Sequence, residues 1–246
     1  MRTSISIAGN HLMSSIESEI QRLCARLSTM FDRVDEQLAD TVNALATADH
    51  VLASKVRDRD REVDAMELEN DQHCIRILDS LQPTDMALRT VIASMRISSS
   101  LERVGDQCKN TCKAVSGIGA VAGWQSSTNI LDIADAARNI MHRARDAFVH
   151  QDRLKARQVL AYDRQVDRAY REAFAAIAVL SPRNGSGSEA LLHLGTVTKS
   201  LERIADHAKT IARCVVYFVE GTDIRYSALA ETVSATATSP FARAVR

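Results

Sequence analysis

The 246-residue chain has only three prolines and nine glycines, too little punctuation for the many turns of a sheet protein. Long helices are the natural reading. Cysteine is scarce too: five residues, an odd number without CxxC or Cys/His zinc spacing, argue against a disulfide framework and leave the thiols as reduced core residues. An excess of either charge is also missing, since 31 Lys and Arg balance 31 Asp and Glu. With no basic surplus to neutralise a phosphate backbone, nucleic acid is disfavoured as a main partner. Long apolar runs are absent as well: CVVYFV at 214–219 falls far short of the roughly 20 residues needed to cross a bilayer, and MRTSISIAGNHL lacks a signal-peptide core. The chain reads as cytoplasmic, and its 46% hydrophobic residues suffice for one large core or two modest ones.

What is there is a helical stripe, repeated. Leu23, Leu27, Met30, Val34, Leu38, Val42, Leu45, Leu52 and Val56 step mainly by three and four, the spacing of an amphipathic helix. A first helix is expected from about 12 to 47, a break near ATADH, and a second helix that stops before LQPTD. Thr84 or Asp85 can cap a third helix, expected from about 85 to 115. SGIGAVAGWQSS at 116–127 collects three of the nine glycines and no charge, and reads as a linker.

Beyond that linker the pattern begins again. Ala44, Asp49, Ala53, Val56, Asp60, Arg61, Val63 and Asp64 recur, without a gap, as Ala147, Asp152, Ala156, Val159, Asp163, Arg164, Val166 and Asp167. LERVGD at 101–106 recurs as LERIAD at 201–206, and the second half has its own proline stop at Pro182. Two copies of one three-helix unit account for this, giving an all-α chain of two tandem three-helix bundles. The residues from 227 to 246, rich in Ala, Ser and Thr, show no sustained stripe and are expected to be a frayed tail.

Four pairs of acids stand four residues apart, and so on one helix face: Asp60 with Asp64, Glu102 with Asp106, Asp163 with Asp167, and Glu202 with Asp206. Each pair repels itself by roughly 0.2–0.5 kcal/mol when exposed. A recurrent pair therefore calls for a basic neighbour or a bound cation. Arg61, Arg103, Arg164 and Arg203 each follow the first acid of a pair and offer the former. Hard carboxylate oxygens suit magnesium, manganese or calcium, and with water also iron. At about 100° per residue, Val56 and Val63 lie about 40° to 60° from Asp60, so this pair borders the apolar stripe. Cys108 and Cys112 point elsewhere and read as core, whereas Gly105, costly inside a helix, implies a close neighbour.

No histidine stands three residues after a glutamate, and no HExxH, GxSxG or GxxxxGKS motif occurs, which disfavours an oxygen-activating diiron enzyme. His207 reads as a flanking helix residue. No catalytic constellation emerges.

DMALRTVIASMRISSSLERVGDQCKN at 85–110, SLERIADHAKTIARCVVYFVEG at 200–221, and the DREVD and DRQVD phrases at 60–64 and 163–167 resemble the PhoU family. The likeness implies two three-helix bundles related by a pseudo-twofold axis, in repeats over 1–115 and 128–226. It also implies that Asp60, Asp64, Glu102, Asp106, Asp163, Asp167, Glu202 and Asp206 are metal ligands, for iron, zinc, manganese or magnesium. Ala205 and Thr210 depart from the first copy's Gly105 and Asn110, so the second site is expected to bind more weakly or differently. The role implied is that of a non-enzymatic adaptor between a phosphate ABC transporter and a sensor histidine kinase, restraining phosphate uptake and starvation signalling. A metal-free helical scaffold with salt-bridged acids and a carboxylate-bridged metal hydrolase are the alternatives. Long amphipathic helices are compatible with a homodimer and with a monomer.

Overall fold

A computed structural model describes residues 2–118, 123–180 and 188–224. Six long helices and one short one appear among them, with no strand: α1 (Arg2–Thr47), α2 (His50–Leu81), α3 (Asp85–Ile118), α4 (Trp124–Ser127), α5 (Ile130–Val149), α6 (Arg153–Val179) and α7 (Ser188–Glu220). Helices α1 to α3 form one bundle and α5 to α7 the other, and α3 packs lengthwise on α7 in the broadest contact of the molecule. The expected tandem of three-helix bundles is the observed architecture.

Local chemistry explains the element boundaries. Asp49 caps α2 through its carboxylate, which accepts from the Val51 and Leu52 amides at 2.9 Å. Asp152 caps α6 in the same way, from Leu154 and Lys155 at 2.7 and 3.1 Å. This identity between the repeats is therefore a helix start rather than part of any site. The residues before these caps, Ala48 and Gln151, both turn through positive φ, so the two turns share one backbone path. Helix α2 ends where Gln82 adopts a left-handed conformation ahead of Pro83, which cannot continue a helix.

Three boundaries differ from the sequence reading. Helix α1 begins at Arg2, ten residues before the expected start: no proline interrupts the stretch, and Gly9 is carried inside the helix. Helix α3 runs on to Ile118, and Trp124–Ser127 is itself helical, so only part of the expected 116–127 linker is non-helical among the described residues. Ile118 is 2% exposed, and its burial carries the helix past Gly117. Pro182 and the expected tail at 227–246 lie outside the described residues.

One apolar core crosses both repeats. Leu101 and Val104 of α3 and Leu201 and Ile204 of α7 are fully buried in it. The rings of Phe31 (α1), Phe148 (α5) and Phe218 (α7) join the bundles, with centroids 5.4 and 6.5 Å apart, within the range of favourable aromatic pairing. None of the five cysteines forms a disulfide. Burial pushes the Cys74 thiol up to about 12 and Cys112 to about 11, and Cys108 also lies in the core, as expected.

Because the core is continuous, Phe148→Ala should destabilise both halves together, by about 3–5 kcal/mol. Urea unfolding followed by circular dichroism should keep a single transition at a lower midpoint. Two separated transitions would show that the halves unfold independently.

Candidate functional site

The eight acids fall into two clusters, one per repeat, each formed where the second helix of a bundle meets the third. In the first, α2 brings Asp60 and Asp64, and α3 brings Glu102 and Asp106. Asp60 is 1% exposed. Gly105 explains how a carboxylate sinks so far: a methyl group there would stand 3.2 Å from the Asp60 Oδ1 atom, so the bare backbone makes the room. The close neighbour implied by this glycine is therefore Asp60 itself.

The counter-ions are not the expected arginines. The Lys109 ammonium donates to Asp60 Oδ2 at 2.5 Å and lies 3.5 Å from Asp106 Oδ1, while the Gln37 amide donates to Asp60 Oδ1 at 3.3 Å. In the second cluster Lys209, one hundred residues on, bridges Asp206 at 2.6 Å and Asp163 at 2.9 Å. Arg103 does approach Glu102 and Asp106, at 3.3 and 3.5 Å, but Arg61, Arg164 and Arg203 point outward as exposed residues. The lysine was visible in the repeat as an identity three places after each phrase. Its bridging role was not, because it depends on α2 and α6 lying alongside.

The two clusters differ in charge balance. Around the first, Glu67 joins the four acids, so five carboxylates face Lys109 and Arg103. Glu102 bears the strain: burial, and then Asp106, push its carboxyl up to about 7, with Glu67 and Asp64 adding to the effect and Arg103 opposing it. Its Oε2 atom is buried and accepts no hydrogen bond. Asp64 is also raised, by burial and by Asp60.

In the second cluster, the position of Glu67 is taken by Tyr170 and that of Ser99 by Lys199. The two replacements are partners: the Lys199 ammonium lies 5.5 Å from the Tyr170 ring centre and donates to Glu202 at 2.6 Å, a cation–π contact coupled to an ion pair. Three of the four acids there have a lysine partner. Ala205 fills the space that Gly105 leaves open, and the Asp163 side chain stays 17% exposed against 2% for Asp60.

In the first cluster a buried carboxylate oxygen with no hydrogen-bond donor, 3.3 Å from the Arg103 guanidinium, stands within an excess of acid that suits a hard cation, while the second cluster has one acid fewer around its two lysines. The first-cluster acids are neighbours rather than converged on one point: among the described residues, no three Asp, Glu, His or Cys side chains are already gathered as a ligand set. His207 lies beside Asp206, and burial lowers its affinity for a proton.

Two helical repeats whose second and third helices carry paired acids define a class, and comparison with known proteins agrees. The model of the PhoU domain matches residues 27–115 and 130–215, and the chain belongs to the PhoU family. It is 32% identical over 221 residues to a phosphate-specific transport system accessory protein PhoU homolog of Pseudomonas putida, covering 89% of this chain and 86% of that one. It is also similar to PhoU from Pseudomonas aeruginosa, whose crystal structure superimposes with a TM-score of 0.78 at 32% identity over 84% of this chain and 99% of that one. The phosphate transport regulatory protein PhoU of Streptococcus pneumoniae shares the fold at 23% identity, again with a TM-score of 0.78, covering 85% and 99% of the two chains.

Lys109→Met should strand the buried Asp60 carboxylate and destabilise the chain by about 3 kcal/mol, measured by urea unfolding. Lys209→Met should cost less, because Asp163 can reach water, and equal costs would contradict the burial difference.

Glu102 predicts a pH dependence. Its folded value of about 7 lies above the ordinary 4.5, so the folded state holds the proton more tightly, and this group's contribution to stability declines as pH rises from about 4.5 through about 7. In chelator-treated protein, Glu102→Gln should therefore raise the melting temperature at about pH 8.5 and change it little at about pH 5. A loss at both pH values would mean that the charged form is the favoured one.

Proposed function

We propose that the chain is a cytoplasmic, non-enzymatic regulator of phosphate transport, an adaptor between a phosphate ABC transporter and a sensor histidine kinase that restrains uptake and starvation signalling. Family membership over both repeats carries this reading, supported by relatives named as accessory proteins of phosphate-specific transport systems. No helix among the described residues is long and apolar enough to cross a membrane, so contact with the transporter would be made through protein surfaces.

Within that role, a cation that carboxylates can hold, iron, manganese, magnesium or zinc, belongs to the first cluster. Glu102, Asp106 and Asp64 would hold it, with Glu67 beside them, while Asp60 stays with Lys109. The bound cation would supply positive charge where the chain has too little, tying α2 to α3. Of the eight residues that the family resemblance implies, this reading places the cation on those of the first repeat. A metal-free scaffold is the second reading, and the lysine bridging each cluster favours it.

Metal analysis by plasma mass spectrometry separates the two. Tag-free protein loaded with manganese or iron and then desalted should retain metal in the wild type and in Glu202→Ala/Asp206→Ala, and lose it in Glu102→Ala/Asp106→Ala. No metal in any would select the scaffold, and equal retention by all three would place the metal away from these residues and overturn its assignment to the first cluster. The adaptor role fails if the transporter's ATPase subunit and the kinase do not co-purify with the chain from phosphate-replete cells.

A further inference from the structure

The α3–α7 crossing has two sides, and they are no longer alike. On one, Arg96, Ser99, Ser100 and Arg103 of α3 face His207 and Thr210 of α7 around a recess of about 320 Å³. On the other, the equivalent residues of the opposite helices line a groove of about 930 Å³, and α6 contributes Tyr170, Phe174 and Ile177. The counterparts of these three in α2 are Glu67, Asp71 and Cys74. An acidic helix face in the first repeat has thus become an apolar one in the second.

Three further observations point to an occupant. Phe174 and Leu192 are 53% and 72% exposed beside the groove, which is a cost unless something covers them. Gln107 is only 7% exposed, yet its Oε1 atom has no hydrogen-bond partner. Gly195 lies within α7 on the groove wall, and a methyl group there would meet nothing within 4 Å. A mid-helix glycine costs about 1 kcal/mol relative to alanine, and no packing among the described residues requires it. The corresponding residue of α3 is Met95. Bare backbone at an open wall leaves space for another backbone to approach closely.

Charge selects among occupants. Among the described residues the groove lining includes Lys113 and Arg203, with Lys199 already paired to Glu202, and no acid. From Leu191 to Arg203 the wall spans thirteen residues of α7, about 18 Å at 1.5 Å per step, room for three turns of a second helix. The chain's own segment from 225 to 246 carries Arg225, Arg243 and Arg246 against a single Glu231, the wrong sign for this rim.

We infer that the groove between α3, α6 and α7 is a docking site for an acidic amphipathic helix of a partner protein, its apolar face on Phe174 and Leu192 and its carboxylates toward Lys113 and Arg203. The site shares none of the proposed metal ligands and stands or falls apart from that reading.

The test uses the full-length chain and two fluorescein-labelled synthetic 18-residue helices with the same Leu/Phe face, one with Glu on its polar face and one with Lys. Fluorescence anisotropy should show the Glu helix binding at least tenfold more tightly than the Lys helix, a preference that shrinks with added salt. Gly195→Leu fills the open wall while improving helix propensity, so it should fold and still weaken the Glu helix at least tenfold. Phe174→Glu should do the same. No binding, equal binding of both helices, or indifference to Gly195→Leu would overturn the proposal. So would a dimer by light scattering that Gly195→Leu dissociates, which would give the groove to a second copy. A tenfold gain in affinity on Phe241→Ser would give it instead to the chain's own C-terminal segment.

Discussion

The lengthwise packing of α3 on α7 is the contact on which the rest of the molecule depends. Each of these helices spends its most apolar face on the other and on the shared core, where Leu101, Val104, Leu201 and Ile204 are fully buried. Helical geometry then dictates what lies beside that face. The acids of LERVGD and LERIAD stay out of the core, and because α2 and α6 lie alongside, Glu102 and Glu202 are largely covered while Asp106 and Asp206 keep access to water. They meet Asp60 and Asp163 instead, and a cation at the centre becomes an electrostatic necessity. The phrase occurs twice because this crossing is made by two copies of one helix.

Much of this was legible in the sequence. Period and punctuation located the helices, and the gap-free recurrence of Val56, Asp60, Val63 and Asp64 revealed the duplication. The nearness of Asp60 to the apolar stripe followed from angle alone, and so did the core placement of Cys108. What the sequence hid were relations between helices. Arginines adjacent in sequence looked like natural counter-ions, yet neighbours along a helix point about 100° apart, and the lysine one turn further along faces the correct helix. Glu67 and Lys199 went unnoticed for a similar reason: their meaning lies in which of them faces Glu102 and which faces Tyr170.

Duplication also explains how the halves came to differ. In the first repeat, Gly105, Gln37 and Glu67 together sustain a deeply buried Asp60 and an overcharged Glu102. In the second, Ala205, Tyr170 and Lys199 replace that arrangement with an ordinary set of ion pairs. Changes at 170 and 199 are energetically coupled, since the lysine balances Glu202 while resting against the tyrosine ring. A fold carried by the central helix pair tolerates such divergence, because neither cluster is needed to hold α3 against α7.

The buried thiols carry a consequence of another kind. Peroxide, disulfide exchange and soft metals all attack the thiolate, and burial leaves Cys74 and Cys112 almost none of it at neutral pH. Neither of these two thiols therefore offers an oxidant a ready nucleophile. A thiol-gated switch could not be built on either of them, and their place in the fold is that of small apolar side chains that fill the core.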